Sequence, residues 1–211
     1  MEDTVPSETS RLHTINLLLA AGCVIVGLYL AISPVIPIIT FAIKAKRTPV
    51  SAPYGGRLAN ILAPQNDTPP SDTPAAAAPP TSNQLVIPSI FFNETILEGD
   101  TIATADRGAW RRPASSTPDA GGNTVIVGHR WTYRAARDIF FHLDKVKVGD
   151  SLAVYWQQNE YIYKVTSIQV VEPHEIWVEE QTDIPSLTLY TCTPVWSSKH
   201  RLVIRAELQS A

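Results

Sequence analysis

Residues 186–208 read SLTLYTCTPVWSSKHRLVIRAEL, with apolar side chains at alternate positions on both sides of a short polar loop. In RLVIRAEL (201–208), Leu202, Ile204, Ala206 and Leu208 share one face, while Arg201, Val203, Arg205 and Glu207 take the other. A period of two residues is that of a β-strand with one face on a core. In LTLYTC (187–192), Leu187 and Leu189 are core-like, and Thr188, Tyr190 and Cys192 point the opposite way. Two strands flanking a short loop are predicted, with Cys192 and Arg201 on the face turned away from the core. A free cysteine is usually a buried small hydrophobe. One on the polar face asks for a chemical explanation.

Working outward, other runs repeat the pattern. LVIPSI (85–90) opens the series, with Pro88 marking an edge or a bulge. NTVIVGH (123–129) is a β-branched apolar run behind Gly121 and Gly122. SLAVYWQ (151–157), the QNE turn and YIYKVTSIQVV (161–171) read as a hairpin. Ala135, Ala136, Ile139, Phe140 and Leu143 fall at helical spacing and predict one short helix between Thr132 and Val146. Many strands, few helices and no β–α–β alternation point to a mostly β domain over residues 84–211, a closed barrel or a sandwich.

The chain before it is made of different material. Residues 14–43 carry no charged side chain. Ile15 to Ile43 is long enough to cross a bilayer as a helix. A secretory signal peptide would have a shorter apolar region, a basic start and a small-residue cleavage site. Here the tail (1–13) holds Glu2, Asp3 and Glu8 against Arg11, so a retained single transmembrane anchor over 14–43 is the better reading. Pro34 and Pro37 are expected to kink it or end it early. Residues 44–83 are rich in Pro and Ala, and 49–80 contain eight of the 17 prolines. That composition predicts a semi-extended linker, with a helical turn at most in GRLANIL (56–62). Lys44, Lys46 and Arg47 follow the apolar run, which by the positive-inside rule would leave the β domain in the cytoplasm.

A net charge of −3 without a basic tract argues against nucleic acid as a partner. The two cysteines allow no disulfide-dense scaffold and no four-cysteine zinc site. Cys23 lies inside the apolar run and is not expected to pair with Cys192. Neither a phosphate loop nor a dinucleotide fingerprint occurs, so no cofactor is expected.

The chemistry-bearing residues are few. Cysteine attacks as the thiolate, and an adjacent imidazole raises the reactive fraction and can protonate a leaving amine. His129 closes a strand as Cys192 does and is the best-placed imidazole; His142, His174 and His200 read as surface or turn residues. The tetrahedral intermediate of acyl transfer needs donors for its oxyanion. Arg201, and its rival Arg205 on the same face, could supply them.

With these residues in place, TLYTC (188–192) followed by an arginine nine residues after the cysteine resembles the TLxTC signature of the sortase family. GGNTVIVGHR (121–130), FFHLDKVKVGDSL (140–152) and LVIPSIFFNETILEG (85–99) are similar to further segments of that family. The resemblance implies an eight-stranded closed β-barrel with one or two short helices behind a transmembrane helix. It also implies a cysteine transpeptidase on the outer face of the cell membrane, against the flanking-charge rule. The implied substrate is a surface protein bearing an LPXTG-like C-terminal sorting signal. The implied acceptor is an amine such as a cell-wall precursor peptide or a pilin lysine. Carried over, Cys192 matches the nucleophile, His129 the acid/base, Arg201 the oxyanion-stabilising arginine, and Thr191 the position that cradles the intermediate. Trp196, in the loop between Cys192 and Arg201, is expected to line the peptide groove. Some sortases bind calcium through acidic loop residues, and Glu172, Glu175, Glu179, Glu180 and Asp183 cluster before the cysteine strand; such a run also reads as a solvated loop. An anchored cysteine peptidase that releases its acyl-enzyme to water, and a non-catalytic β-domain, are the rival readings.

Overall fold

The computed structural model describes residues 8–33, 35–63, 78–131 and 139–209, in two compact units, Met1–Pro49 and Val50–Ala211. The first contains α1 (Glu8–Ile32) and α2 (Ile36–Arg47). Within α1, Leu12–Ile32 has a mean hydropathy of 2.4 and no buried side chain. It is the one helix among the described residues long and apolar enough to cross a membrane. The apolar run is thus two helices rather than one. Pro37 sits in the first turn of α2, where its missing N–H leaves no bond unmade.

The second unit is a closed barrel of β1 (Gln84–Ile87), β2 (Phe92–Leu97), β3 (Ala109–Arg111), β4 (Asn123–Val127), β5 (Ser151–Trp156), β6 (Asn159–Val171), β7 (Ser186–Thr193) and β8 (His200–Leu208). The order around it is β1-β2-β3-β4-β7-β8-β6-β5. Only β2–β3 and β4–β7 pair in parallel; the other neighbours are antiparallel. The alternation read in the sequence fills the interior. Leu85, Ile87, Ile126, Leu152, Val154, Leu187, Leu189 and Ile204 are all fully buried.

The outer faces are not simply solvated. Leu58 of α3 (Arg57–Leu62) is fully buried against Val86, Ala153, Tyr155 and Ile162. The backbone N–H groups of Arg57 and Leu58 donate to the Glu160 carboxylate at 2.7 and 3.3 Å, and the Tyr155 hydroxyl donates to it at 2.9 Å. This satisfies the free donors that open a helix. Gly56, at φ 140°, brings its backbone so close that a Cβ would lie 2.5 Å from Glu160 Oε2. Part of the segment expected as linker is therefore packed structure. Residues 52–62 belong to the barrel, and residues 64–77 lie outside the described residues.

A second cover is the β6–β7 connection, residues 172–185. Val178 packs with Val171, Val203 and Tyr190, so Val203, expected on an open outer face, is buried. The helix predicted over Thr132–Val146 is not found in its described part. Residues 139–142 are turn, followed by a single 3₁₀ turn at Leu143–Lys145. Ala135 and Ala136 lie outside the described residues.

Candidate active site

Three strand ends converge under the β6–β7 cover. On β7, Cys192 is a half-buried free thiol directly opposite Arg201 of β8. Facing side chains at such a pair have Cβ atoms about 5 Å apart. β4 runs parallel to β7, with Val127 paired to Tyr190, so His129 emerges beside the end of the cysteine strand. The approach is fixed on both sides of Gly128. Its N–H donates to the Tyr190 carbonyl at 3.4 Å, and its carbonyl accepts from Thr191 Oγ1 at 2.7 Å. A Cβ on Gly128 would lie 2.9 Å from the Phe140 ring, so only glycine lets β4 continue this close.

The imidazole has a partner the sequence did not suggest. His129 Nε2 lies 2.8 Å from Asp106 Oδ1, on the connection that follows the 3₁₀ turn Ile102–Thr104. With Nε2 engaged, Nδ1 is the nitrogen left for proton transfer. Cys192, His129 and Arg201 line one cavity of about 260 Å³, with Ile102, Ala105, Val127, Ile176, Val178 and Tyr190 as its apolar and aromatic wall. Thr191 also borders it. Arg201 is oriented by its own loop, Nη1 donating to the Ser198 and His200 carbonyls at 3.0 and 3.2 Å.

The wall formed by the β6–β7 connection is held by a polar network. The Asn123 side chain donates to the Val178 and Glu180 carbonyls at 3.1 and 2.9 Å and accepts from Thr188 Oγ1 at 2.8 Å. Glu179 accepts from Tyr190 Oη and from Arg112 Nε at 3.0 Å. Burial, then the adjacent Glu179 carboxylate, pushes the Tyr190 phenol well above its usual range, which keeps it the donor. Arg205, the rival for the arginine role, donates to the Val178 carbonyl at 3.3 Å and lies over the Trp177 ring. It secures the wall.

The acidic run is spread among separate partners. Glu179 is engaged as described, Glu175 accepts from the Trp177 indole, and Glu172 pairs with His200 at 3.2 Å. Among the described residues, no group of three or more His, Cys, Asp or Glu side chains is arranged to hold a metal ion. Trp196 departs from expectation. It is absent from the cavity lining, is 56% exposed, and stands edge-on to Trp131 at 6.2 Å. His142 packs on Phe141 and His174 is exposed. Sequence reasoning missed Asp106 and Asn123, whose partners lie 23 to 65 residues away along the chain, and it read Glu179 as part of an acidic loop rather than as the acceptor of Arg112 and Tyr190.

A thiol, an oriented imidazole and a fixed guanidinium on one apolar-walled cavity can carry out acyl transfer through a covalent intermediate. Comparison with known proteins agrees. A family model described as the Sortase domain matches residues 85–209. Sortase A of Bacillus anthracis is 27% identical over 125 residues, covering 59% of this chain and 58% of that protein. Sortase SrtE1 of Streptomyces coelicolor is 32% identical over 100 residues, covering 43% of this chain and 28% of its own. The chain thus spans less than two thirds of either relative. Among solved structures, a lid mutant of Sortase A from Corynebacterium diphtheriae aligns with a TM-score of 0.57 at 30% identity, covering 63% of this chain and 72% of that one. A sortase C of Clostridium perfringens, solved with the C-terminal cell wall sorting motif, aligns with a TM-score of 0.56 at 29% identity over 64% and 73% of the two chains.

Proposed function

The chain belongs to the sortase family, and from that premise we propose that it is a membrane-anchored cysteine transpeptidase that cleaves an LPXTG-like sorting signal and passes the acyl group to an amine. The observation that carries this reading is the shared cavity of Cys192, His129 and Arg201. The Cys192 thiolate adds to the carbonyl carbon of the scissile Thr–Gly amide, and the displaced electron pair moves to oxygen beside the Arg201 guanidinium. Collapse expels the amine, which takes a proton from the His129 imidazolium, and leaves a thioester on Cys192. An amine acceptor then adds to the thioester, His129 receives its proton, and the thiolate departs. The donor is a surface protein and the acceptor a cell-wall precursor peptide or pilin lysine; the sorting-motif complex of the Clostridium perfringens relative supports the donor class. Thr191, bonded to the Gly128 carbonyl, serves by holding His129 beside the thiol.

The test is a sorting-peptide library offered with and without a free amine. A ligated product and a thioester adduct on Cys192 are expected. Hydrolysed peptide alone would make the protein a peptidase, and no adduct would refute both. The helix Leu12–Ile32 is assigned as the anchor, with the barrel outside. Protease added to intact cells should then degrade the barrel; a protected barrel would reverse the placement.

Asp106 offers a finer check. Asp106→Ala frees the imidazole to rotate and is expected to lower kcat about tenfold with little change in KM. Asp106→Asn keeps an acceptor oxygen for Nε2–H and should retain most activity. Equal rates for all three proteins would show that the carboxylate does not orient His129.

A further inference from the structure

Arg130 is the one charged residue among the described residues that is buried, at 6% exposure. Desolvating a guanidinium is costly unless its donors are met, and here they are met by specific partners. Nη1 donates to Thr193 Oγ1 at 2.8 Å, Nη2 faces Asp144 Oδ1 at 3.0 Å, and Nε points to the Phe141 carbonyl at 3.4 Å. The guanidinium is planar, so these directions are fixed relative to one another.

The position of this fork in the chain matters more than its strength. Arg130 immediately follows His129, and Thr193 immediately follows Cys192. On the other side, Thr191 immediately precedes Cys192 and bonds to the carbonyl of Gly128, which immediately precedes His129. The two reacting side chains are therefore bracketed by hydrogen bonds between the residues before them and the residues after them. The first bond lies in the parallel β4–β7 ladder's extension. The second is made by a buried side chain two residues beyond Gly128, whose N–H makes the backbone bond that closes the β4–β7 ladder. The asymmetry explains why a charge is buried there: a rigid multi-donor group can tie β7 to the 3₁₀ turn Leu143–Lys145 as well as to the histidine segment.

The geometry points to Arg130 as a positioning residue that sets the separation and facing of His129 and Cys192 through Thr193, an inference that rests on the transpeptidase reading. Arg130 is buried and is not among the residues that line the cavity. Its effect belongs in kcat, since small misplacements of catalytic groups are expensive in rate.

Thr193→Val removes the acceptor oxygen at nearly constant volume and leaves the Arg130–Asp144 pair intact. It is expected to lower kcat about tenfold, the scale of a hydrogen bond to a charged group, with donor KM within about twofold. Thr193→Ser keeps the hydroxyl and should restore kcat. Arg130→Lys, which keeps the charge but cannot serve both arms, should show the same split as Thr193→Val. Lys145→Ala, on the other oxygen of Asp144, is the control and should match wild type. Alkylation of Cys192 by iodoacetamide needs no donor peptide; it should be slowed in Thr193→Val and restored in Thr193→Ser. Wild-type kcat and alkylation in Thr193→Val, or equal loss in the serine variant, would overturn the inference. Absence of a ligated product from the wild type would instead refute the transpeptidase reading, with the alkylation series still deciding the role of Arg130.

Discussion

Replacing Cys192 by alanine is expected to abolish the enzyme adduct and to reduce ligated product by at least about a thousandfold, the scale of losing the nucleophile of a catalytic unit. The fold should be indifferent to the change. Cys192 is half-buried and lines the cavity rather than the barrel interior. Its backbone pairing with Arg201 does not involve the side chain. A cavity-lining sulfur replaced by a methyl group leaves no new void in the core, so the unfolding temperature should move by no more than a few degrees. His129→Ala should approach the same loss of rate for a different reason, because the thiol keeps its place but loses its proton partner. The readout must distinguish the second free thiol. Cys23 lies in α1, within the span assigned as the anchor, and is a second thiol in the chain. Adduct mass should be assigned on the peptide containing Cys192. A Cys192→Ala protein that still forms ligated product would remove the basis of the proposed mechanism.

Much of this site is visible in one dimension because strand parity is a strict rule. Once Leu187, Leu189, Leu202 and Ile204 are assigned inward, Cys192 and Arg201 must share the other face, and the antiparallel register sets them opposite each other. The hairpin was readable for the same reason, although its turn is one residue earlier than QNE. Gln157 and Gln158 take φ values of 49° and 67°, and Trp156 pairs with Asn159. No glycine marks that turn, so only the flanking alternation betrays it. β2 and β3 left weaker traces. In β2 only Phe92 and Ile96 are buried, a four-residue spacing that does not spell a strand, and β3 is three residues long.

Tertiary partners were illegible for a physical reason. Leu58 is buried against outward-facing residues of strands that alternation alone would leave to solvent, and Asp106 meets His129 only through the antiparallel pairing of the short β3 with β4. Trp196 misled in the opposite sense. Its position between Cys192 and Arg201 suggested a groove wall, yet its backbone enters the left-handed region at φ 66°, and its ring meets Trp131 outside the cavity.

The same parity left Arg201 and Arg205 indistinguishable as the cation, and their surroundings separate them into unequal predictions. Arg201 lines the cavity opposite the thiol, with its guanidinium steadied by two carbonyls of its own loop. A preorganised cation beside a developing oxyanion contributes mainly to the transition state. Arg201→Ala is therefore expected to lower kcat by about a hundredfold or more, with a smaller change in donor KM. Arg201→Lys restores the charge without the fork of donors and should recover only part of the loss. Arg205 spends one donor on the Val178 carbonyl and its face on Trp177, both in the segment that walls the cavity. Arg205→Ala should loosen that wall and raise donor KM while kcat at saturation stays within a few-fold. Steady-state kinetics on the three variants reads both parameters at once. If Arg205→Ala costs more in kcat than Arg201→Ala, the oxyanion assignment passes to Arg205, and the cavity must open differently when the donor is bound.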